Sequence, residues 1–318
     1  MKRPEPTTVS SRGSDAVEAR YSWRLLRAGP LWLDGGSMFG VVPRAIWSRK
    51  APPDEQGRIE LAHNCLLLES DVGTTRILIE TGSGNKFDEK MRRQFGLSDR
   101  SIIDAVEEAG CACNAIDHVI VSHLHFDHGG GLTRRGKSGG AVPTFSNADV
   151  IVQRVEWEDA LANRAVMTRT YLRENLDPIR EHVRLVDSPP PFPAGYRPAR
   201  DELPASPLVS REMEVLPGIR VFLVPGHTWG QQAIRFADVR GQSIVFCPDV
   251  IPTINHVGSA YNMGYDVEPY VDTISRHWFL EAAVEGNWLL VLDHEPAHPL
   301  QRVRRDGKGW YELIPEAM

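Results

Sequence analysis

The sequence predicts an α/β fold, an αββα sandwich in which two mixed β-sheets pack face to face under flanking helices. Two observations carry it. Six short stretches, 65–68, 77–79, 119–121, 221–224, 244–246 and 289–292, are apolar almost throughout. A strand wet on one face would alternate, so unbroken apolar runs imply strands covered on both faces. Helical segments with start and stop signals stand between these runs. Ser98 or Ser101 can cap a segment through Ile102, Ile103, Val106 and Ala109, and Gly110 ends it. Residues 154–163 and 171–182 read as two further helices. Pro269 near a start, a stripe of Val271, Ile274, Trp278 and Ala282, and Gly286 at the end describe a helix of about five turns.

The chain has 318 residues, 42% hydrophobic and 25% charged, with a formal net charge of −6. These values are ordinary for a globular protein and give no basic footprint for nucleic acid. Residues 1–20 are rich in Pro, Ser and charge and read as a disordered tail; 21–318 read as a single domain with insertions around 133–215 and 251–265. No stretch approaches the roughly eighteen apolar residues of a membrane span. The start lacks the apolar core of a secretory signal, so a cytoplasmic setting is expected. Four cysteines, Cys65, Cys111, Cys113 and Cys247, are too few for a disulfide framework.

The chemistry concentrates in His123-Leu124-His125-Phe126-Asp127-His128, which follows the apolar run ending at Val121 and precedes three glycines. In extended chain, alternate residues share a side, so His123, His125 and Asp127 can face one point. His128 is out of phase and must face elsewhere unless the chain turns. The glycines permit such a turn and a close backbone approach. The chain holds 11 His in all, so three crowded into this hexapeptide are not an even scatter. Imidazoles with a carboxylate suit zinc, iron or manganese.

The stretch from Ser122 to Gly130 resembles the signature of the metallo-β-lactamase superfamily, over roughly residues 60–300. Pro225-Gly226-His227-Thr228-Trp229-Gly230 is similar to that family's Gly-His-Thr-x-Gly turn. Asp249 and His294 follow apolar runs where the family places a bridging Asp and its last His. The resemblance implies two divalent ions, zinc the first candidate: His123, His125 and His227 on one, Asp127, His128 and His294 on the other, with Asp249 bridging. It implies a dinuclear hydrolase in which a hydroxide shared by the ions is the nucleophile. His298 competes with His294, Asp293 could orient a ligand, and Cys247 reads as core rather than as a soft ligand. Glu80 stands where the family commonly has an Asp that supports a ligand His; one methylene longer, it can still reach.

Within the superfamily, the motifs look most like the acyl-homoserine lactonase and organophosphate hydrolase-like branch, to which 150–153 and Glu156-Trp157-Glu158 are also similar. This implies a small-molecule ester or lactone as substrate, with no nucleic-acid or membrane partner. The excursion after Asp249 offers His256 as an acid–base candidate and Tyr261 or Tyr265 as donors to an oxyanion. Trp229, Met263 and Trp278 could line an acyl pocket, or pack in the core. Phosphodiesters, phosphotriesters and thioesters are the alternative substrates on the same ligand set. A metal scaffold without turnover is the reading from another class.

Overall fold

The computed structural model describes residues 19–192 and 208–317. Residues 1–18 of the expected tail, and 193–207 within the expected insertion around 133–215, lie outside the described residues. The first half of the chain supplies β1 (Tyr21–Asp34), β2 (Arg58–Ser70), β3 (Arg76–Ile79), β4 (His118–Ile120), β5 (Thr133–Arg135), β6 (Ala141–Pro143), β7 (Asp149–Gln153) and β8 (Val183–Val186). The second half supplies β9 (Met213–Leu216), β10 (Ile219–Leu223), β11 (Gln232–Ala237), β12 (Ser243–Cys247), β13 (Leu289–Leu292), β14 (Leu300–Arg305) and β15 (Tyr311–Pro315).

These strands form two mixed sheets, ordered β1-β2-β3-β4-β7-β8 and β15-β14-β13-β12-β11-β10-β9, with β5 and β6 as a separate ribbon. The expected αββα sandwich is therefore present. Its unbroken apolar runs divide by parity, as strand geometry requires. Leu66, Leu68, Ile77, Ile79 and Ile120 point into the seam and meet Ile219, Val221, Ile234, Phe246 and Val291 of the other sheet. Their neighbours Cys65, Leu67, Leu78, Val119 and Val121 point outward and pack with Ile102, Val106 and Trp157. On the far side, Phe222, Val245, Leu290 and Leu292 are covered by Trp278, Phe279 and Ala282. Both sheets are thus buried on two faces.

The helices match their sequence signals closely. Ile102–Glu108 starts at a capping box in which Ser101 and Asp104 satisfy each other's first-turn amides. Pro269–Glu285 begins with Pro at its first position and stops at Gly286. Arg154–Ala162 is a helix, but the expected 171–182 helix breaks into Arg173–Leu176 and a tighter 3-10 turn over Asp177–His182. Pro178 has no amide to donate, which favours that break. The antiparallel pair β1 and β2 is long and kinked by a register shift between Arg27 and Pro30. Its far end leaves the sandwich and builds a satellite core of Leu31, Leu33, Met38, Phe39, Trp47, Ile59 and Leu61 beside the site. No helix of the described residues is long and apolar enough to cross a membrane.

Candidate metal centre

The candidate ligands all follow the C-terminal ends of strands. His123 lies beyond β4, His227 beyond β10, Asp249 beyond β12 and His294 beyond β13. β4 runs parallel to β3 and β7, and β12 parallel to β13, so one edge of the sandwich collects these ends. Backbone bonds stitch the sheets together there: Gln232 N–H donates to Ser122 O at 2.9 Å, and Asn64 N–H to Asp293 O at 2.9 Å.

The chain does turn within the motif. His125 precedes a short helix, Phe126–Gly129, so Asp127 and His128 leave on a helical rather than an extended path. The expectation that His123, His125 and Asp127 share one side is thereby corrected. His123, His125 and His227 form one buried group, while His128, Asp249, Asp293 and His294 form a second. Asp127 stands against the second group, 3.7 Å from His294 Nε2 and 3.9 Å from His128 Nε2. The glycines that follow allow close backbone contact: a Cβ on Gly130 would lie 2.3 Å from Ser83 O, and one on Gly131 2.2 Å from Thr81 O.

Asp249 lies between the groups. Its Oδ2 is 3.0 Å from His227 Nε2, 3.8 Å from His123 Nε2 and 3.6 Å from His128 Nε2, and its Oδ1 is 3.4 Å from His294 Nε2. The outer faces of the imidazoles are held by the protein. His227 Nδ1 meets Asp266 Oδ1 at 2.9 Å, and His294 Nδ1 donates to Ala62 O at 2.8 Å. His128 Nδ1 faces Glu80 Oε2 at 3.3 Å and Asp293 Oδ2 at 3.9 Å. Glu80 therefore does reach a candidate ligand, at a left-handed backbone position with φ of 68°. Asp293 touches the back of the His128 ring, whereas Asp127 faces its front.

The residues fit divalent cations on two counts. His123 Nε2, His125 Nε2 and Asp249 Oδ1 are buried without a hydrogen-bond partner. Such orphans are costly unless something else satisfies them. The charges also ask for a cation. Burial and neighbouring imidazoles push His123 and His125 well below the usual His range, leaving them neutral and able to coordinate. Burial opposes charge on His227, yet Asp249 and Asp266 raise it to about 10. Burial likewise opposes charge on His128, and Asp127 with Glu80 outweighs it. Burial works against ionised Asp249, but His227 and His294 hold its carboxyl well below the usual range. The carboxylates that draw a proton onto His227 and His128 would equally draw a metal cation.

The chain belongs to the metallo-β-lactamase superfamily. The family model described as the metallo-beta-lactamase superfamily matches residues 58–294, well over half of the chain. N-acyl homoserine lactonase of Bacillus thuringiensis is 26% identical over 225 residues, covering 67% of this chain and 73% of that protein. The lactonase of Bacillus cereus is 25% identical over the same length and shares. A probable metal-dependent hydrolase from Staphylococcus aureus superposes with a TM-score of 0.76 at 25% identity, covering 95% of this chain and 99% of its own. A dizinc quorum-quenching lactonase in complex with a product gives 0.69 at 19% identity, covering 95% and 96%, a likeness of fold. As a superfamily member the chain is a metallohydrolase, and the fold is one built around divalent metal.

The site floors a cavity of about 380 Å³. Its wall includes Trp32, Leu33, Met38, Phe95, Phe126 and Met263, with Tyr265, Arg58 and Arg169 among the polar members. The 251–265 excursion delivers Met263 and Tyr265, and Ala165, Val166, Met167, Arg169 and Thr170 come from the chain after the Arg154–Ala162 helix. The far end of β1 and β2, with the Glu89–Gln94 helix, supplies much of the rest. No short motif marks that contribution; only the length of the hairpin could have hinted at it.

Several expected members stand elsewhere. His256 is buried away from the cavity, with Nε2 2.9 Å from Met38 O, Nδ1 2.8 Å from Thr253 Oγ1, and its ring stacked on Phe39. Tyr261 packs edge-on to Phe39 under Lys50, outside the cavity lining. Both rings pack against Phe39 of the satellite core. Trp278 sits in the outer core with the Arg211 guanidinium 3.8 Å over its ring, and Trp229 is on the surface. Cys247 is fully buried core, and His298 is exposed.

Proposed function

We propose that the chain is a dinuclear hydrolase, with zinc as the first candidate metal, that opens a small ester or lactone bearing an apolar acyl group. The observation that carries this reading is the convergence of seven donor side chains at the floor of a largely apolar cavity. His123, His125 and His227 would hold one ion, and Asp127, His128 and His294 the other, with Asp249 shared. Ions bound there would acidify a common water near neutral pH and polarise the carbonyl oxygen. Asp127, on the second half's open side, fixes that half's charge and orientation. Tyr265 lines the same cavity, and burial keeps its hydroxyl protonated by raising it to about 12. A protonated phenol is a donor suited to the oxygen that gains charge as the carbonyl is attacked. The apolar wall excludes water and holds the acyl chain.

The test joins metal analysis of the purified protein to a substrate panel. Two ions per chain and turnover of acyl lactones above bis(p-nitrophenyl) phosphate are expected. One ion per chain would remove the two-site assignment. A strong preference for the phosphodiester would replace the acyl reading with a phosphoesterase one.

A further inference from the structure

A buried carboxylate behind the first half of the centre has no role so far. Glu156 opens the Arg154–Ala162 helix, is fully buried, and is packed so closely that a Cβ on Gly230 would lie 2.4 Å from its backbone nitrogen. It accepts from three neutral donors: Leu124 N–H at 2.9 Å, Tyr171 OH at 3.0 Å and Thr228 Oγ1 at 2.6 Å. A carboxylate taken out of water is costly, and these bonds offset that cost. The donors share a property. Leu124 stands between His123 and His125, Thr228 follows His227, and the Tyr171 ring lies 5.1 Å from the His125 ring. All three candidate ligands of the first group are thus tied to one carboxylate. The second group has Glu80 and Asp293 facing His128; Glu80 also accepts from the Ser122 amide next to His123, whereas Glu156 makes no contact with His128, Asp249 or His294 among its bonds.

We infer that Glu156 is a positioning residue that fixes the first half of the centre alone. The inference rests on the dinuclear reading. Its mechanism is geometric: Glu156 holds the loop through Leu124 and the turn through Thr228 at the spacing where three imidazoles converge, before any ion arrives. Partners behind metal ligands typically change affinity roughly 10- to 100-fold when removed.

The experiment titrates metal-free, full-length protein with Co²⁺, reading bound ions by calorimetry and visible absorbance, and folding by circular dichroism. The unaltered protein should bind two ions. Glu156→Leu should weaken one of them by roughly 10- to 100-fold and leave the other unchanged. Glu156→Gln should recover much of the loss, because its amide oxygen can still accept from Leu124 and Tyr171. In a His294→Ala background, which cripples the second half, the surviving ion should be the one that responds to Glu156. If Glu156→Leu does not fold, the Tyr171→Phe, Thr228→Val double variant is judged by the same criterion. Equal weakening of both ions, or no weakening in a folded variant, would overturn the inference. Fewer than two ions in the unaltered protein would instead overturn the dinuclear reading, and this inference with it.

Discussion

Tyr265 and His256 came from one excursion, and the structure gives them opposite fates. Tyr265 lines the cavity while His256 has both nitrogens engaged by Met38 and Thr253. Tyr265→Phe should therefore lower kcat for lactones by about 10²-fold with little change in metal content, read by steady-state kinetics and metal analysis. An unchanged kcat would mean that the phenol is only wall. At this scale the candidate ligands were legible, because His123 to His128 are neighbours in sequence and their chemistry is unusual. The direction of each side chain was not. Extended-chain parity misassigned Asp127, since the helical turn at Phe126–Gly129 depends on glycines meeting the 81–83 backbone, a contact that sequence does not display.

Elements behave more predictably than single side chains. Pro269–Glu285 was readable from its proline, its stripe and its glycine, yet the stripe could not say which wall Trp278 faced. The structure puts it in the outer core, so Trp278→Ala should cost about 3–5 kcal/mol in denaturant unfolding and leave KM unaltered. A changed KM at unchanged stability would return that residue to the pocket. The 3-10 turn Ile254–His256 carries a pH signature. Burial lowers His256 from 6.5 to about 4, so the folded form excludes a proton that the unfolded chain accepts. Stability from this group is complete above pH 6.5 and is lost as pH falls toward 4. Melting temperature followed across that window should decline less steeply in His256→Gln than in the parent; identical slopes would assign the acid sensitivity elsewhere. The cavity wall built by β1, β2 and Glu89–Gln94 was invisible beforehand, because it is assembled by contacts far apart in the chain.

For the whole molecule, the sandwich was legible from six apolar runs, since only strands buried on two faces need them. The relative placement of the sheets was not, because it arises from the parity-sorted packing of Ile79, Ile120, Phe246 and Val291 across the seam. The candidate ligands come from both sheets, so metal bound to them would stabilise their docking in addition to any catalysis. Removing it with a chelator should lower the melting temperature by several degrees, with recovery on adding zinc. A chelator-insensitive melt accompanied by lost activity would confine the metal to chemistry.

That division of donors between the sheets also orders events during synthesis. When His128 has emerged from the ribosome, the nascent chain holds only part of the candidate ligand set; His294, the last candidate, arrives with the end of β13. An ion bound earlier would meet an incomplete ligand set. A centre built from the proposed ligands would be complete only once His294 is made, and so would report that both sheets have been made and joined.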